Sequence, residues 1–437
     1  MVKTSRYRWA TLVGAVFFML AQSAFAFEFH GYMRAGTGGN SDGGDQVCFQ
    51  DPGAPAKYRL GNECEIFNEW AFSQNLFEGE KNAYFKFNGM MAFAIEGEQD
   101  FEQTEPAFRQ SWIEAGNLFD GFFQGAIFWA GKRFYRRHDV HINDFFYWGQ
   151  GARTGAGVED VNLGFGSLAF AWFSNANDDF DFASFKVVDP VTGLETGEFQ
   201  TIQGQRIESS SKAVNSFDVR LYDIEVNPGG LLTLGVDGRV WSESDKDFDP
   251  SNGVLLNAIH FQDGFLGGFN KLALQYGNAT ASSLQDASSN TAKSGTYAYR
   301  LVETLMFQPN ETWSGMWTLV YEKRHKDRTP EPIDWWFSTG IRPKYYFTDY
   351  LDVSVELGYD RINPQQGEHR DLFKATIAPE ISAGRGFFAR PALRVFLTYA
   401  KWNDAAREAG VVLDSDGTTF EDASDGFTYG VQAEAWW

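Results

Sequence analysis

Alternation of apolar and polar residues with a period of two runs from residue 27 to the last residue and limits the folds open to this chain. The clearest stretches are 85–95, 351–360, 393–399 and 427–437. Side chains along a β-strand point alternately to opposite faces, so each stretch has one apolar face and one polar or mixed face. The aromatic residues, 42 Phe, 17 Tyr and 14 Trp, also favour strands. The sequence predicts an all-β protein.

Turn-forming clusters separate these stretches. The NPGG turn at 227–230 is short, whereas the polar stretches 279–295 and 414–426 are long. Short turns at one end and long loops at the other are typical of an antiparallel outer-membrane barrel. At about 23 residues per strand and connection, the chain would form 16 to 18 strands around an aqueous channel. The alternative is a large soluble sandwich. No shift in composition divides residues 27–437, which we expect to form one domain.

The N-terminus has the features of a secretory signal peptide. Lys3, Arg6 and Arg8 precede an apolar run at 11–20, and an A-x-A motif ends at Ala26. We expect residues 1–26 to be removed and the protein to reach the outer membrane of a Gram-negative bacterium. An uncleaved N-terminal anchor is the alternative.

Export also determines how the two cysteines, Cys48 and Cys64, are interpreted. They lie 16 residues apart in a polar stretch. In an oxidising compartment this arrangement favours a disulfide rather than metal ligation, and the disulfide would close the first loop. A four-thiolate zinc site or an iron–sulfur cluster would need more cysteines than the chain has.

Several other functions find little support in the sequence. A net charge of −21 makes nucleic acid an unexpected partner. Metal binding is not expected at His138 and His141, because they lie in an alternating stretch where their side chains point apart. The aspartates near 414–422 lack the spacing of an EF-hand calcium site. Carboxylate pairs such as Glu65 with Glu69 have no feature that would raise one pKa for glycosidase chemistry. We expect neither an enzyme nor a metal or other cofactor.

The last strand separates two tryptophans by parity. Phe427, Tyr429, Val431 and Trp437 share the apolar face, whereas Trp436 shares the other face with Gln432 and Glu434. We expect Trp437 to lie in the interfacial aromatic girdle and Trp436 to face the lumen.

Eight ordered blocks spread along the chain resemble the maltoporin family of sugar porins. They are FHGYMR (29–34), KYRLGNECE (57–65), PAFR (106–109), WAGKRFY (129–135), RHDVH (137–141), RPA (390–392), YAKW (399–402) and WW (436–437). The resemblance implies a trimeric, 18-stranded outer-membrane barrel with an inward-folded constriction loop, through which maltose and maltodextrins diffuse. Residues 174–216 and 279–330 match poorly.

The resemblance also implies two rows of pore residues. One is an aromatic slide for sugar rings, in which Phe101 is offered by a neighbouring subunit and a sixth member is unassigned: Tyr32, Phe67, Phe101, Phe388 and Trp436. The other is a polar track with the constriction, which would hydrogen-bond the sugar hydroxyls: Arg34, Arg59, Glu69, Arg109, Arg137, Asp139, Asp144 and Phe146.

Two departures from the family pattern bear on substrate. Phe146 stands where the family usually has a tyrosine at the constriction, and Gly149 stands where it commonly has an aspartate. A porin for sucrose or aromatic glucosides and a general diffusion porin are therefore alternatives, together with a secreted glycan-binding or glycan-cleaving protein.

Overall fold

The computed structural model describes residues 27–95, 104–177, 184–188, 195–201, 212–242, 251–285, 294–326, 332–414 and 418–437. The predicted signal peptide and the predicted slide residue Phe101 lie outside these ranges. Among the helices within them, none is long and apolar enough to cross a membrane.

Strands account for most of the described chain. A five-residue helix, α1 (Asp404–Glu408), is capped by the Asn403 side chain, which accepts a hydrogen bond from the Ala406 amide. The strands are β1 (Phe27–Asn40), β2 (Cys48–Phe49), β3 (Ile66–Glu78), β4 (Tyr84–Ile95), β5 (Ala107–Gly116), β6 (Ile127–Val140), β7 (Phe145–Asn162), β8 (Ser167–Asn177), β9 (Ser184–Val188), β10 (Glu195–Thr201), β11 (Lys212–Asn227), β12 (Gly230–Ser242), β13 (Gly253–Phe265), β14 (Gly268–Asn278), β15 (Tyr297–Phe307), β16 (Trp313–His325), β17 (Ile333–Tyr346), β18 (Leu351–Pro364), β19 (Arg370–Ser382), β20 (Ala392–Trp402), β21 (Val412–Leu413) and β22 (Asp425–Trp436).

Eighteen of these strands form one closed antiparallel barrel. Each pairs with its neighbours along the chain, with β8 joined to β11 and β20 to β22 past two small insertions. β1 pairs with β3 on one side and with β22 on the other, which closes the sheet. The short turn between Asn227 and Gly230 links β11 to β12 as predicted. The predicted all-β barrel is confirmed, and its strand number is at the top of the expected range.

The two faces of the strands differ as the alternation predicts. On β22, Phe427, Tyr429 and Val431 are 40%, 53% and 50% exposed, whereas Gln432 and Glu434 are buried. β18 and β20 repeat this pattern. The exposed apolar face is the outer surface of the barrel, and the polar face is its interior.

The first loop, residues 41–65, lies inside the barrel. The predicted disulfide between Cys48 and Cys64 is present, and β2 pairs with β21. The Tyr58 ring fills a notch on β17 and β18, where a Cβ on Gly340 or Gly358 would lie 2.2 or 2.1 Å from ring atoms. The Tyr58 hydroxyl is 3.0 Å from the Ser338 hydroxyl. The absence of side chains at Gly340 and Gly358 therefore allows the first loop to pack against the barrel wall.

A second segment, residues 139–148, also contacts the far wall of the barrel; we call it the crossing segment. The Ile142 carbonyl accepts hydrogen bonds from the Arg59 amide at 3.1 Å and the Arg342 guanidinium at 3.3 Å. The Tyr147 carbonyl accepts hydrogen bonds from Gln275 at 3.0 Å and Arg300 at 3.1 Å. These contacts span from β6 and β7 to β14, β15 and β17.

Candidate functional site

The first loop and the crossing segment leave the two sides of the interior unequally covered. Interior side chains on β11–β20 form buried ion pairs, including Arg239 with Asp237 at 2.9 Å and Arg300 with Glu322 at 2.6 Å. Eight interior side chains on β3–β6 are only partly buried: Glu69, Lys86, Asn88, Met90, Gln110, Trp112, Glu114 and Arg137. The open passage therefore runs along β3–β6.

Three predicted slide residues meet where β1 lies between β3 and β22. Tyr32 is the cross-strand partner of Trp436 on one side and of Glu69 on the other. The rings of Tyr32 and Phe67 are 6.1 Å apart between centroids. The Arg390 guanidinium lies 4.6 Å from the centre of the Trp436 ring.

His141 of the crossing segment joins these rings to the fourth described slide residue. Its imidazole lies edge-on to Phe388 at 5.2 Å and to Trp436 at 6.0 Å. Burial, together with the positive charges of Arg59 and Arg342, holds the pKa of His141 well below its usual range. The imidazole is therefore neutral near pH 7 and lies between the rings of Phe388 and Trp436. The sequence favoured a structural role for His141 over metal ligation, but nothing in it indicated this position between pore rings.

Behind the rings, Glu434 accepts hydrogen bonds from three guanidinium groups. Its oxygens lie 3.2 Å from Arg59, 2.7 Å from Arg390 and 2.9 Å from Arg394, and Glu434 itself is buried. The Tyr32 hydroxyl also donates to it at 3.2 Å. Parity on the last strand placed Glu434 in the interior, but nothing local indicated that arginines from three other segments would converge on it.

Two predicted track residues are already engaged within the protein. Arg34 pairs with Glu63 at 2.7 Å and with Glu65, while Arg59 pairs with Glu63 at 2.8 Å. Nearby carboxylates keep the pKa of Arg59 well above its usual range despite its burial. Both arginines are buried, so they support the first loop and the Tyr32 hydroxyl.

Arg109 and Arg137 face the open side. Their guanidinium groups lie 5.1 and 3.6 Å from the centre of the Phe134 ring, and Arg137 also lies 4.4 Å from that of Phe146. Within the described ranges neither has an ion-pair partner, and the Arg109 Nε is buried without a hydrogen bond. Phe134, which the sequence did not single out, therefore contacts two guanidinium groups that have no ion-pair partner among the described residues.

Acidic track residues surround these cations without touching them. Glu69 lies within electrostatic range of both Arg109 and Arg137. The Asp139 carbonyl accepts a hydrogen bond from Lys271 at 2.9 Å, which fixes the start of the crossing segment. Asp144 adopts a left-handed conformation with φ 53° just before β7. Phe146 is 38% exposed beside them.

The arrangement suits a ligand with one apolar face and a rim of hydroxyls. Aromatic rings bury apolar surface, and charged side chains form strong hydrogen bonds to hydroxyls. In the described part of the chain, no group of three or more His, Cys, Asp or Glu residues could hold a metal ion. His138 stacks instead on Trp148 at 5.1 Å.

A closed antiparallel barrel of this size, with an apolar outside and a charged inside, defines an outer-membrane porin. The chain matches the LamB porin family over residues 27–437 and belongs to that family. It is therefore a Gram-negative outer-membrane channel through which small molecules diffuse, and such barrels typically act as channels rather than enzymes. The predicted family membership is confirmed at this level.

Solved structures with a similar course of the chain have low sequence identity to it. Acinetobacter baumannii OccAB2 is 10% identical, with a TM-score of 0.47 over 94% of this chain and 98% of that chain. Pseudomonas aeruginosa OpdK, solved with vanillate, is 10% identical, with a TM-score of 0.47 over 95% and 100%. Pseudomonas aeruginosa OprD is 8% identical, with a TM-score of 0.45 over 94% and 93%.

Proposed function

We propose that this porin is specific for maltose and maltodextrins, which pass along the file formed by Phe67, Tyr32, Trp436, His141 and Phe388. The observation that carries the proposal is the combination of this file with the guanidinium groups of Arg109 and Arg137, which have no ion-pair partner among the described residues. A sugar ring would stack on the file while its hydroxyls accept hydrogen bonds from the arginines. The crossing segment, with Phe146 at its edge, would form the constriction.

Transport requires that each contact be weak. A single tight site would retain the sugar, so we expect sites in series, each with a Kd on the order of millimolar. The ring centroids of Phe67 and Tyr32 are 6.1 Å apart, and that of His141 lies 6.0 Å from Trp436 and 5.2 Å from Phe388. Neighbouring rings of this kind provide such a series, because each contact can form as the previous one breaks.

Three further properties belong to the proposal. Cleavage after Ala26 would release a chain that starts at Phe27, which N-terminal sequencing of the membrane protein would show. Three subunits would assemble, which mass measurement in detergent would show. Phe101 of a neighbouring subunit would extend the slide at its entrance, so Phe101→Ala should weaken sugar binding while leaving the trimer intact.

Single-channel recording in planar bilayers tests the specificity. Maltose and longer maltodextrins should block the current saturably, and sucrose should block less. Stronger block by sucrose or by an aromatic glucoside would assign the channel to that sugar instead. Undiminished current with every sugar would indicate a general diffusion porin and would refute the proposal.

A matched pair of variants tests the slide itself. Trp436→Ala removes a ring from the file and should weaken maltose binding about tenfold, the upper range for one aromatic contact. Trp70→Ala is the control, because Trp70 lies on the outer surface of β3 and is 42% exposed. Equal sugar binding by both variants and the unmodified protein would contradict the assignment of Trp436.

A further inference from the structure

Trp112 is an interior tryptophan that lies apart from the predicted slide. It packs against the buried cluster of Trp129, Tyr135 and Phe173, which lies on the inner face of β6–β8. Its neighbour Ile113 points outwards and is 37% exposed. Trp112 itself is only partly buried, so part of its indole borders the open passage.

Polar groups with spare hydrogen-bonding capacity surround the indole. The Arg133 guanidinium lies 4.0 Å from the indole centre and is held there by Glu159, which its Nη1 contacts at 2.8 Å. Arg133 Nε donates to the Phe134 carbonyl at 3.2 Å, and among the described residues Nη2 has no hydrogen-bond partner. Asn88 is the cross-strand partner of Trp112, and its Nδ2 is buried without a hydrogen bond.

The strand register places this group on the periplasmic side of the slide. Ala92 of β4 is the cross-strand partner of Glu69, which in turn is the partner of Tyr32. Asn88 lies four residues away from Ala92 along β4, a distance of about 13 Å. The direction is toward the short turn that joins β3 to β4, which is the periplasmic end of such barrels.

We infer that Trp112, with Arg133 and Asn88, forms an exit-side subsite for a ring of a maltodextrin whose other rings still occupy the slide. The inference rests on the proposed function and extends it to chain length. The exposed part of the indole would contact the apolar face of the ring, while Arg133 and Asn88 donate to its hydroxyls. A disaccharide is too short to reach from Tyr32 to Trp112, whereas a chain of six rings can engage both.

The test compares maltose with maltohexaose in planar bilayers. Trp112→Leu should weaken maltohexaose binding about fivefold to tenfold, mostly through a faster off rate, and leave maltose binding unchanged. Trp112→Phe keeps a ring and should lose less. Trp172→Leu is the control, because Trp172 lies on the outer face of β8 and is 44% exposed; it should bind both sugars like the unmodified protein.

Each outcome bears on one of the two proposals. If the unmodified channel is blocked by both sugars and Trp112→Leu binds both normally, the exit-side subsite is refuted and the proposed function stands. An equal loss for both sugars would also refute it, because the effect would then not depend on chain length. If the unmodified channel is blocked by neither sugar, the proposed function fails, and the subsite fails with it. Should Trp112→Leu not insert, Asn88→Leu replaces it and should lose maltohexaose affinity about threefold, the loss expected for one hydrogen bond, with maltose binding unchanged.

Discussion

Glu434→Gln should both destabilise the barrel and change its ion selectivity. The carboxylate is 2% exposed and accepts hydrogen bonds from Arg59, Arg390, Arg394 and the Tyr32 hydroxyl. Glutamine has nearly the same shape but offers one acceptor oxygen in place of two. Its amide nitrogen carries protons that would point at the guanidinium groups on the other side.

The size of the effect follows from these contacts. Removing one partner of a buried ion pair costs about 3–5 kcal/mol, because the remaining charges are left uncompensated. Here three guanidinium groups lose their shared carboxylate, although Arg394 retains Glu380 at 3.6 Å and Arg59 retains Glu63. We therefore expect a loss of about 3 kcal/mol, at the lower end of that range.

Urea unfolding of the barrel in detergent would measure this loss, and the reversal potential in a salt gradient would measure selectivity. The reversal potential should shift in the direction of greater anion permeability, since one negative charge is removed beside Tyr32 and Trp436. Glu225→Gln is the control, because Glu225 is exposed near the β11–β12 turn; its effect should stay within about 0.5 kcal/mol. A variant at Glu434 with unchanged stability and unchanged selectivity would refute the assigned role of this carboxylate.

Three more predictions concern the first loop. Gly358→Ala places a methyl group in the notch that holds Tyr58, so the loop should shift. We expect a higher conductance and a loss of about 1–3 kcal/mol in the free energy of unfolding by urea. Unchanged conductance would contradict this. Reduction of the disulfide between Cys48 and Cys64 should lower the free energy of unfolding by about 3 kcal/mol and expose the loop to protease. Equal cleavage before and after reduction would contradict this. Burial raises the pKa of Asp51 to about 8, from 3.8, so the folded state holds a proton that the unfolded state has lost across that interval. Stability should therefore fall as pH rises from about 4 to 8, and Asp51→Asn should flatten that fall; an identical pH profile in the variant would refute it.

Local patterns predicted the barrel because the alternation within each strand shows which side chains lie on its apolar face and which on its polar face. The alternation at 427–437 is visible in the sequence, and the structure places Tyr429 outside and Glu434 inside as expected. The disulfide was also predictable, because two cysteines in an exported chain have few alternatives. Family resemblance supplied the rest of the expected site, including Phe101, which lies outside the described residues.

The interior contacts could not be predicted in the same way. The Glu434 cluster joins the last strand to the first loop, to a turn and to β20, and His141 reaches Phe388 nearly 250 residues further along the chain. Nothing in the sequence around Trp112 distinguishes it from other strand tryptophans, because its neighbour Asn88 is known only from the strand register. No local pattern encodes such pairings.

The sequence by itself determined the fold class, the closing disulfide and the direction in which each strand side chain points, because these depend on residues next to or near one another. The tertiary structure alone decided which half of the interior is open. That outcome depends on the first loop and the crossing segment folding against β11–β20, where the paired glycines and the buried charges stabilise them. The passage is what these long-range contacts leave uncovered, so it exists only once the barrel is closed.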